Sequence, residues 1–363
     1  MKKPQNTITP RYIFLFLVVA AIQLKAQDAG FIDGKIVDAE TGEPLFFANV
    51  FLANTTIGAT TARDGYYRIK EIPPGAYELV AHHIGYELMT RKVLITGADS
   101  LRCDFEINLK VLQLDEITVF APKSKGLLWK LNLDRFNREF IGESKYSREC
   151  KILNHEVLDF QIDPDTKVFV ASSDQVLEIE NRALGYMIHV ILKEYRSQKP
   201  RSSVGFSLQW VVLPRFELLE PESRRELEKW ERNRRLCYEG SLRYFLAMLA
   251  GNEDGSDSFW IYSGSRTALE NDLGMVLSVD ELKVTPDDRT PFYRWESDTW
   301  LKVSYRGDDH NSNFIWLPEG YTLFDTFGNC VIPYSIELVG GYWTQKRMAD
   351  TLPFDYRPGI NLE

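Results

Sequence analysis

The chain has 363 residues and a formal net charge of −9, with 44% apolar, 13% aromatic and 26% charged residues. That composition excludes a disordered chain, the length exceeds one ordinary core, and the acidic balance speaks against nucleic acid as a partner, since affinity there comes largely from neutralising phosphates. The aromatic share favours β-rich structure over a helical bundle, because Tyr, Phe and Trp pack well on pleated surfaces.

The first element is MKKPQNTITPRYIFLFLVVAAIQLKAQ, in which Lys2, Lys3 and Arg11 precede an apolar run from Tyr12 to Ile22 and a small residue at Ala26. It reads as a secretory signal peptide over residues 1–26, cut near Ala26–Gln27, because the apolar run falls short of the roughly twenty residues that cross a bilayer. Its removal takes Lys2, Lys3, Arg11 and Lys25 and no acid, leaving a more acidic mature chain without a transmembrane span. The first cysteine is Cys103, so no lipid-bearing cysteine follows the apolar run. The expected location is the periplasm or the outer-membrane or cell surface. Cys103, Cys150, Cys237 and Cys330 lie far apart without CxxC spacing; export permits disulfides, and free buried thiols are an equal expectation.

From Phe31 to about Ala121 the pattern is period-two, broken by turn residues. GKIVDAETGEPL predicts a strand and a turn at Thr41–Gly42, and FANVFLANT places Ala48, Val50 and Leu52 on one face. Asp64–Gly65 predicts a turn, after which Tyr67 and Ile69 point one way. Pro73–Pro74–Gly75 cannot continue a ladder, because proline lacks the N–H, and so makes the next reversal. Tyr77, Leu79 and Ala81 are expected inward, with Glu78, Val80 and His82 outward, and Gly85–Tyr86 closes the strand. Val93 and Ile95, then Phe105, Ile107 and Leu109, then Ile117 and Val119 supply the later strands. Six or seven short strands so punctuated make a small β-sandwich.

The run GKIVDAETGEPLFFANVFL, then DGYYRI, then IPPGAYELVAHHIGYE resembles the carboxypeptidase regulatory-like, or transthyretin (prealbumin)-like, β-sandwich domain of exported Gram-negative surface proteins. The resemblance covers about residues 30–121 and implies a folding and interaction module without peptidase chemistry. LDEITVFAPK, Leu114 to Lys123, resembles the segment that follows this module in TonB-dependent receptors. Too little chain remains for their barrel, and the segment is expected to be the last strand of the sandwich.

Residues 122–363 are expected to form an α+β domain with mostly antiparallel strands and one long helix. KGLLWKLNLDRFNREFIG suggests a helix through Leu128, Leu131, Phe136 and Phe140. Strands are expected in VLDFQI, KVFVAS, VLEIENRALGYMIHVILKEY and VGFSLQWVVL, with a turn at Asp163–Pro164–Asp165. The long helix starts at a capping box, Ser223 with Glu226, and continues along Leu227, Trp230, Cys237 and Leu249, with Glu228–Arg232 and Glu231–Arg235 as supporting pairs. TWLKVSYR follows, with Leu301, Val303 and Tyr305 inward, then NFIWLP. The stretches ENRALGYMIHVIL, WERNRRLCYEGSLRYFLAML and GYWTQKRMADTLPFDY resemble an uncharacterised region found after the same sandwich in exported bacterial proteins. There a histidine commonly stands where this chain has Tyr244, a departure that weighs against a catalytic histidine on the helix.

No residue pattern displays a chemistry: no catalytic, cofactor-binding or metal-binding residue is assigned, and no cofactor is expected. His82, His83, His155, His189 and His310 lack the spacing of a zinc site, and the adjacent pair His82–His83 points to opposite faces of a strand. Gly307 to Asn313, GDDHNSN, offers oxygen ligands but not an EF-hand order, and reads as a polar hairpin loop. There is no GxSxG, phosphate loop or SxxK. Arg224, Arg225, Arg232, Arg234 and Arg235 alternate with Glu222, Glu226, Glu228 and Glu231, the pattern of a solvated helix face. Trp260, Tyr262, Trp295, Trp300, Trp316, Tyr342 and Trp343 crowd the last third. Core packing is their ordinary role, and an exposed platform for sugars or peptides is the alternative.

The resulting expectation is a non-enzymatic, exported interaction or assembly module with an envelope or outer-membrane protein as partner. The alternatives are a glycan- or peptide-acting or glycan-binding protein with its site in the aromatic third, and an accessory of a TonB-linked uptake system.

Overall fold

The computed structural model describes residues 29–97, 100–110, 126–198, 207–253, 255–288, 290–307, 312–332 and 335–359. Residues 1–26, expected to be a signal peptide, the LDEITVFAPK segment and His310 lie outside the described residues.

The first unit is a two-layer β-sandwich. Strands β1 (Gly30–Asp38), β2 (Asn49–Leu52), β3 (Gly58–Thr60), β4 (Tyr66–Ile72), β5 (Gly75–His82), β6 (Met89–Ile95), β7 (Ser100–Arg102) and β8 (Phe105–Ile107) follow the turn punctuation of the sequence. One layer runs β4-β1-β7, with β8 also on β1, and the other runs β3-β2-β5-β6. β7 and β8 pair with β1 in parallel, and the other pairings are antiparallel. The core between the layers holds Ile32, Ile36, Val50, Leu52, Tyr67, Ile69, Leu79, Ala81, Val93, Ile95, Phe105 and Ile107. Pro73–Pro74 forms the whole link from β4 to β5.

Two expectations fail here. Leu109 is exposed, because β8 stops at Ile107 and the chain then meets Tyr86 in a single bridge. Val80 points out of the sandwich yet is fully buried, packed with Phe51 and Ala53 against Leu213 of the next unit. Alternation reports which side of a sheet a residue takes, not whether that side meets water.

Next comes a six-stranded antiparallel sheet under a helix. It is built from α1 (Leu127–Phe136) and strands β9 (Cys150–Ile152), β10 (Leu158–Ile162), β11 (Phe169–Ser173), β12 (Leu177–Asn181), β13 (Tyr186–Gln198) and β14 (Ser207–Leu218). α1 runs into a π-helical turn, Asn137–Ile141, which turns both Phe140 and Ile141 into the core beside Leu133 and Phe136. Phe136 and Phe140 of the expected stripe are buried, while Leu128 and Leu131 face solvent and Trp129 and Leu133 take their place on the inward side.

The expected long helix is two helices, α2 (Arg224–Tyr238) and α3 (Leu242–Leu249). Gly240, at φ +73°, breaks them apart; a Cβ there would lie 2.5 Å from the Tyr305 ring, and left-handed backbone is cheap only for glycine. The Ser223 and Ser241 hydroxyls each accept a backbone N–H at the two new N-termini. Leu227 and Leu249 therefore do not share one stripe with Trp230 and Cys237. On α2, Glu228 pairs with Arg224 (3.0 Å), and Arg234 leaves the solvated face altogether. Its guanidinium lies over the Tyr186 ring and donates to the Leu184 and Gly185 carbonyls, while Trp230 and Asn233 donate to Arg182 and Ala183. Helix α2 thus grips the β12–β13 turn, whose carbonyls face it.

The last unit holds β15 (Phe259–Gly264), α4 (Arg266–Glu270), β16 (Met275–Leu277), β17 (Lys283–Pro286), β18 (Phe292–Glu296), β19 (Trp300–Tyr305), β20 (Ser312–Trp316), β21 (Tyr321–Asp325) and β22 (Glu337–Gly341). A five-stranded sheet, β16-β15-β19-β20-β22, and a three-stranded sheet, β17-β18-β21, enclose α3 and a core of Phe245, Leu246, Phe259, Ile261, Trp295, Leu301, Val303, Ile315, Phe324 and Trp343.

The units are joined by backbone as well as by apolar contact. Asn54 N–H donates to the Pro214 carbonyl, Phe216 N–H to Thr55, and Phe354 N–H to Asn54. The Arg243 guanidinium donates to the carbonyls of Pro353, Phe354, Tyr356 and Phe327, fastening the C-terminal strap.

Candidate functional site

Along β15, β19 and β20 the residues Phe259, Ile261, Leu301, Val303 and Ile315 enter the core. Period-two alternation then sends Trp260, Tyr262, Trp300, Lys302, Phe314 and Trp316 to the opposite face. The strand register sets them in rows: Trp260 opposite Ser304, Tyr262 opposite Lys302 and Lys302 opposite Phe314, and Gly264 opposite Trp300. The Trp300 and Trp316 rings stack, with centroids 5.3 Å apart and planes at 21°. Glu337 of β22 lies beside Trp316.

The face is therefore an aromatic strip along the strands. The stacked tryptophans mark one end and Tyr262 and Phe314 flank the middle. Trp260, 53% exposed, marks the other end, about 13 Å from the pair at four residues of strand rise. Polar groups border it. Lys302 stands between Tyr262 and Phe314 in the register, its ammonium 6.0 Å from the Tyr262 centroid and 2.6 Å from an Asp272 carboxylate oxygen. Arg266, on α4, sits over the Trp300 ring at 5.6 Å and is held by Glu270 at 2.9 Å. Such a surface suits a flat ligand with apolar ring faces and hydroxyl edges: aromatic rings stack on the former, and cation–carboxylate pairs offer donors and acceptors to the latter.

The aromatic residues singled out in the sequence thus divide. Trp295 and Trp343 are core residues, and Tyr342 lines a separate cavity, described below. Trp260, Tyr262, Trp300 and Trp316 are brought together on the outer face. Lys302, Arg266 and Phe314 escaped sequence reasoning; the TWLKVSYR alternation that sends Leu301 and Val303 inward also sends Trp300 and Lys302 outward together.

The other candidates stay apart. His82 is half-buried, and burial, its largest influence, lowers its pKa. His83 bridges the Phe46 and Ile84 carbonyls, His155 contacts Glu156, and His189 contacts Glu217. Among the described residues no three His, Cys, Asp or Glu side chains converge as a metal site. Arg306 and Gly307 open the β19–β20 turn, Ser312 and Asn313 already belong to β20, and residues 308–311 lie outside the described residues. All four cysteines are free thiols; burial pushes Cys150 and Cys237 up to about 12, which leaves them protonated and unreactive. Among the described residues no helix is long and apolar enough to cross a membrane.

Comparison with known proteins places residues 32–119 in the CarboxypepD_reg-like domain family, and the match covers the sandwich. Among curated proteins none matches the chain. Solved structures with partial likeness include the group B streptococcus pilus 2b backbone protein, at 23% identity over 22% of this chain and 41% of that one, with a TM-score of 0.19. The 3-chlorocatechol 1,2-dioxygenase of Rhodococcus opacus is 12% identical over 24% of this chain and 62% of its own, with a TM-score of 0.19. A DUF3823 family protein of Parabacteroides merdae is 9% identical over 56% of this chain and 84% of its own, with a TM-score of 0.17. The chain spans less than two thirds of the length of the first two.

Proposed function

We propose that the chain is a non-catalytic, exported carbohydrate-binding protein of the cell envelope that holds an oligosaccharide along the outer face of the five-stranded sheet. The observation that carries this reading is the half-exposed Trp260 in line with the stacked Trp300–Trp316 pair, on the side of the sheet turned away from its core. An enzyme would need a nucleophile or a matched acid and base within reach of the ligand. The strip instead offers rings and paired charges, the equipment of recognition. The sandwich serves as the module on which the remainder is mounted, with Phe51 and Val80 of its outer sheet face taken up in that mounting.

The test is affinity electrophoresis of the chain from residue 27 onward in gels carrying soluble polysaccharides, followed by calorimetry with oligosaccharides of rising length. Retardation by a polysaccharide, abolished in Trp260→Ala and Trp300→Ala, is the expected result. A folded protein that no glycan retards, or a Trp300→Ala variant that binds unchanged, overturns the reading.

A protein partner is the second reading, favoured by the tip of the sandwich. There Phe47, 64% exposed and at φ +60°, meets the Phe46 ring at a 45° tilt, and the His83 ring links the Phe46 carbonyl to that of Ile84, 87% exposed. A non-glycine residue held in left-handed backbone to present an aromatic ring to solvent is costly unless the ring is used. Cross-linking in the envelope fraction tests it: loss of a stoichiometric partner in Phe47→Ser and Ile84→Ser supports the contact, and an unchanged capture removes it.

A further inference from the structure

We propose that the cavity between the Asn137–Ile141 turn and the Tyr342–Asp350 segment binds a small anionic ligand, its carboxylate or phosphate held by Arg138, Lys145 and Lys346. The cavity measures about 650 Å³, and its wall includes Arg138, Glu143, Lys145, Tyr146, Tyr342, Lys346, Arg347 and Asp350. This site is independent of the aromatic face. Four cations against two acids give this wall a positive balance in a chain whose net charge is −9.

The floor is built rather than incidental. Lys346 is mostly buried; its ammonium donates to the Tyr342 hydroxyl at 2.5 Å and lies 3.5 Å from Asp350 Oδ1. Burial alone would lower its pKa, but the Asp350 charge and the Tyr342 hydroxyl outweigh that and raise it, so the ammonium stays charged. An ammonium has three donors, and these partners use two. Asp350 is itself buried and supplies the counter-charge that fixes the ammonium in place.

The walls divide into fixed and free cations. Arg347 is structural: its guanidinium donates to the carbonyls of Glu139, Thr344 and Lys346. Gly142, at φ +100°, brings the 142–146 loop against it, since a Cβ there would lie 2.8 Å from Arg347 Cβ. Arg138 and Lys145 are exposed at the rim and make no ion pair among the described residues; Lys145 only lies 4.9 Å from the Tyr146 ring centroid. A rim of two unpaired cations above a buried, anchored ammonium, with phenol rings alongside, is complementary to one anionic group on a small molecule.

The experiment is thermal unfolding and calorimetry of the whole mature chain with inorganic phosphate, glucuronate and glucose, at ionic strength matched with sodium chloride. Stabilisation by phosphate alone assigns a phosphate ligand, by glucuronate alone a carboxylate ligand, and by both the shared anion chemistry. In each case Arg138→Ala/Lys145→Ala binds about tenfold or more weakly, and Lys346→Met loses binding. Because Arg138 and Lys145 are exposed, their variant remains folded, and far-ultraviolet circular dichroism checks it. Stabilisation by neither anion, an equal effect of glucose, or undiminished binding by the rim variant overturns the proposal.

Discussion

Two sheets in this chain carry apolar side chains on the face turned away from their own cores, with opposite fates. On the sandwich, Phe51 and Val80 leave the core between the layers and are covered at once by Leu213 and Ile191 of the β13–β14 hairpin. On the five-stranded sheet, Trp260, Tyr262, Trp300 and Trp316 leave the core and stay half-buried or exposed. An outward apolar residue is ordinary where the chain itself covers it. Where none of the described residues does, and the side chains form a strip bordered by charge pairs, the face offers a surface that a ligand could cover.

That contrast is open to attack by substitution, starting inside the core. Trp295→Ala empties a fully buried site and is expected to cost about 3–5 kcal/mol in urea unfolding, with no separate effect on the outer face. Phe51→Ala, at the covered face, is expected to cost about 3 kcal/mol and to raise protease sensitivity between the units; a loss well under 1 kcal/mol means the junction is loose and the two faces are alike. Trp300→Ala is expected to cost only about 1 kcal/mol, the scale of one stacked aromatic pair, while removing polysaccharide retardation. Trp260→Ala is expected to change stability by under about 0.5 kcal/mol, and a larger loss places Trp260 with the core residues.

The smallest effect is electrostatic and serves as a control on the sandwich. The Arg68 guanidinium, 2.6 Å from Asp33, holds that carboxyl below its ordinary value, helped by the Tyr66 hydroxyl and opposed by partial burial. Because the folded pKa lies below the unfolded one, near 3.9, the stabilisation is complete above that value and is lost as pH falls through the lower folded pKa. Asp33→Asn is therefore expected to be slightly less stable than the parent at neutral pH and equal to it at the acid end, by thermal unfolding across pH. A difference that persists in acid shows that packing, not charge, is what Asp33 contributes.

Local chemistry made the sandwich legible: Pro73–Pro74 cannot pair, Asp64–Gly65 turns, and period-two runs between such signals have few alternatives to short strands. The helix start at Ser223, the Asp163–Pro164–Asp165 turn and the inward Leu301 and Val303 were readable for the same reason, since each depends on residues only a few positions away. Three features were decided by tertiary structure. Val80 is buried by a strand more than 130 residues along the chain. Gly240 ends a helix because Tyr305 fills the space a side chain would need. Arg234 turns inward because the β12–β13 turn presents carbonyls to it. The aromatic face belongs with these: every tryptophan was visible in the sequence. Which ones line the core and which the surface follows from strand pairing, because a residue's side of a sheet is local, whereas what covers that side depends on parts of the chain distant in sequence.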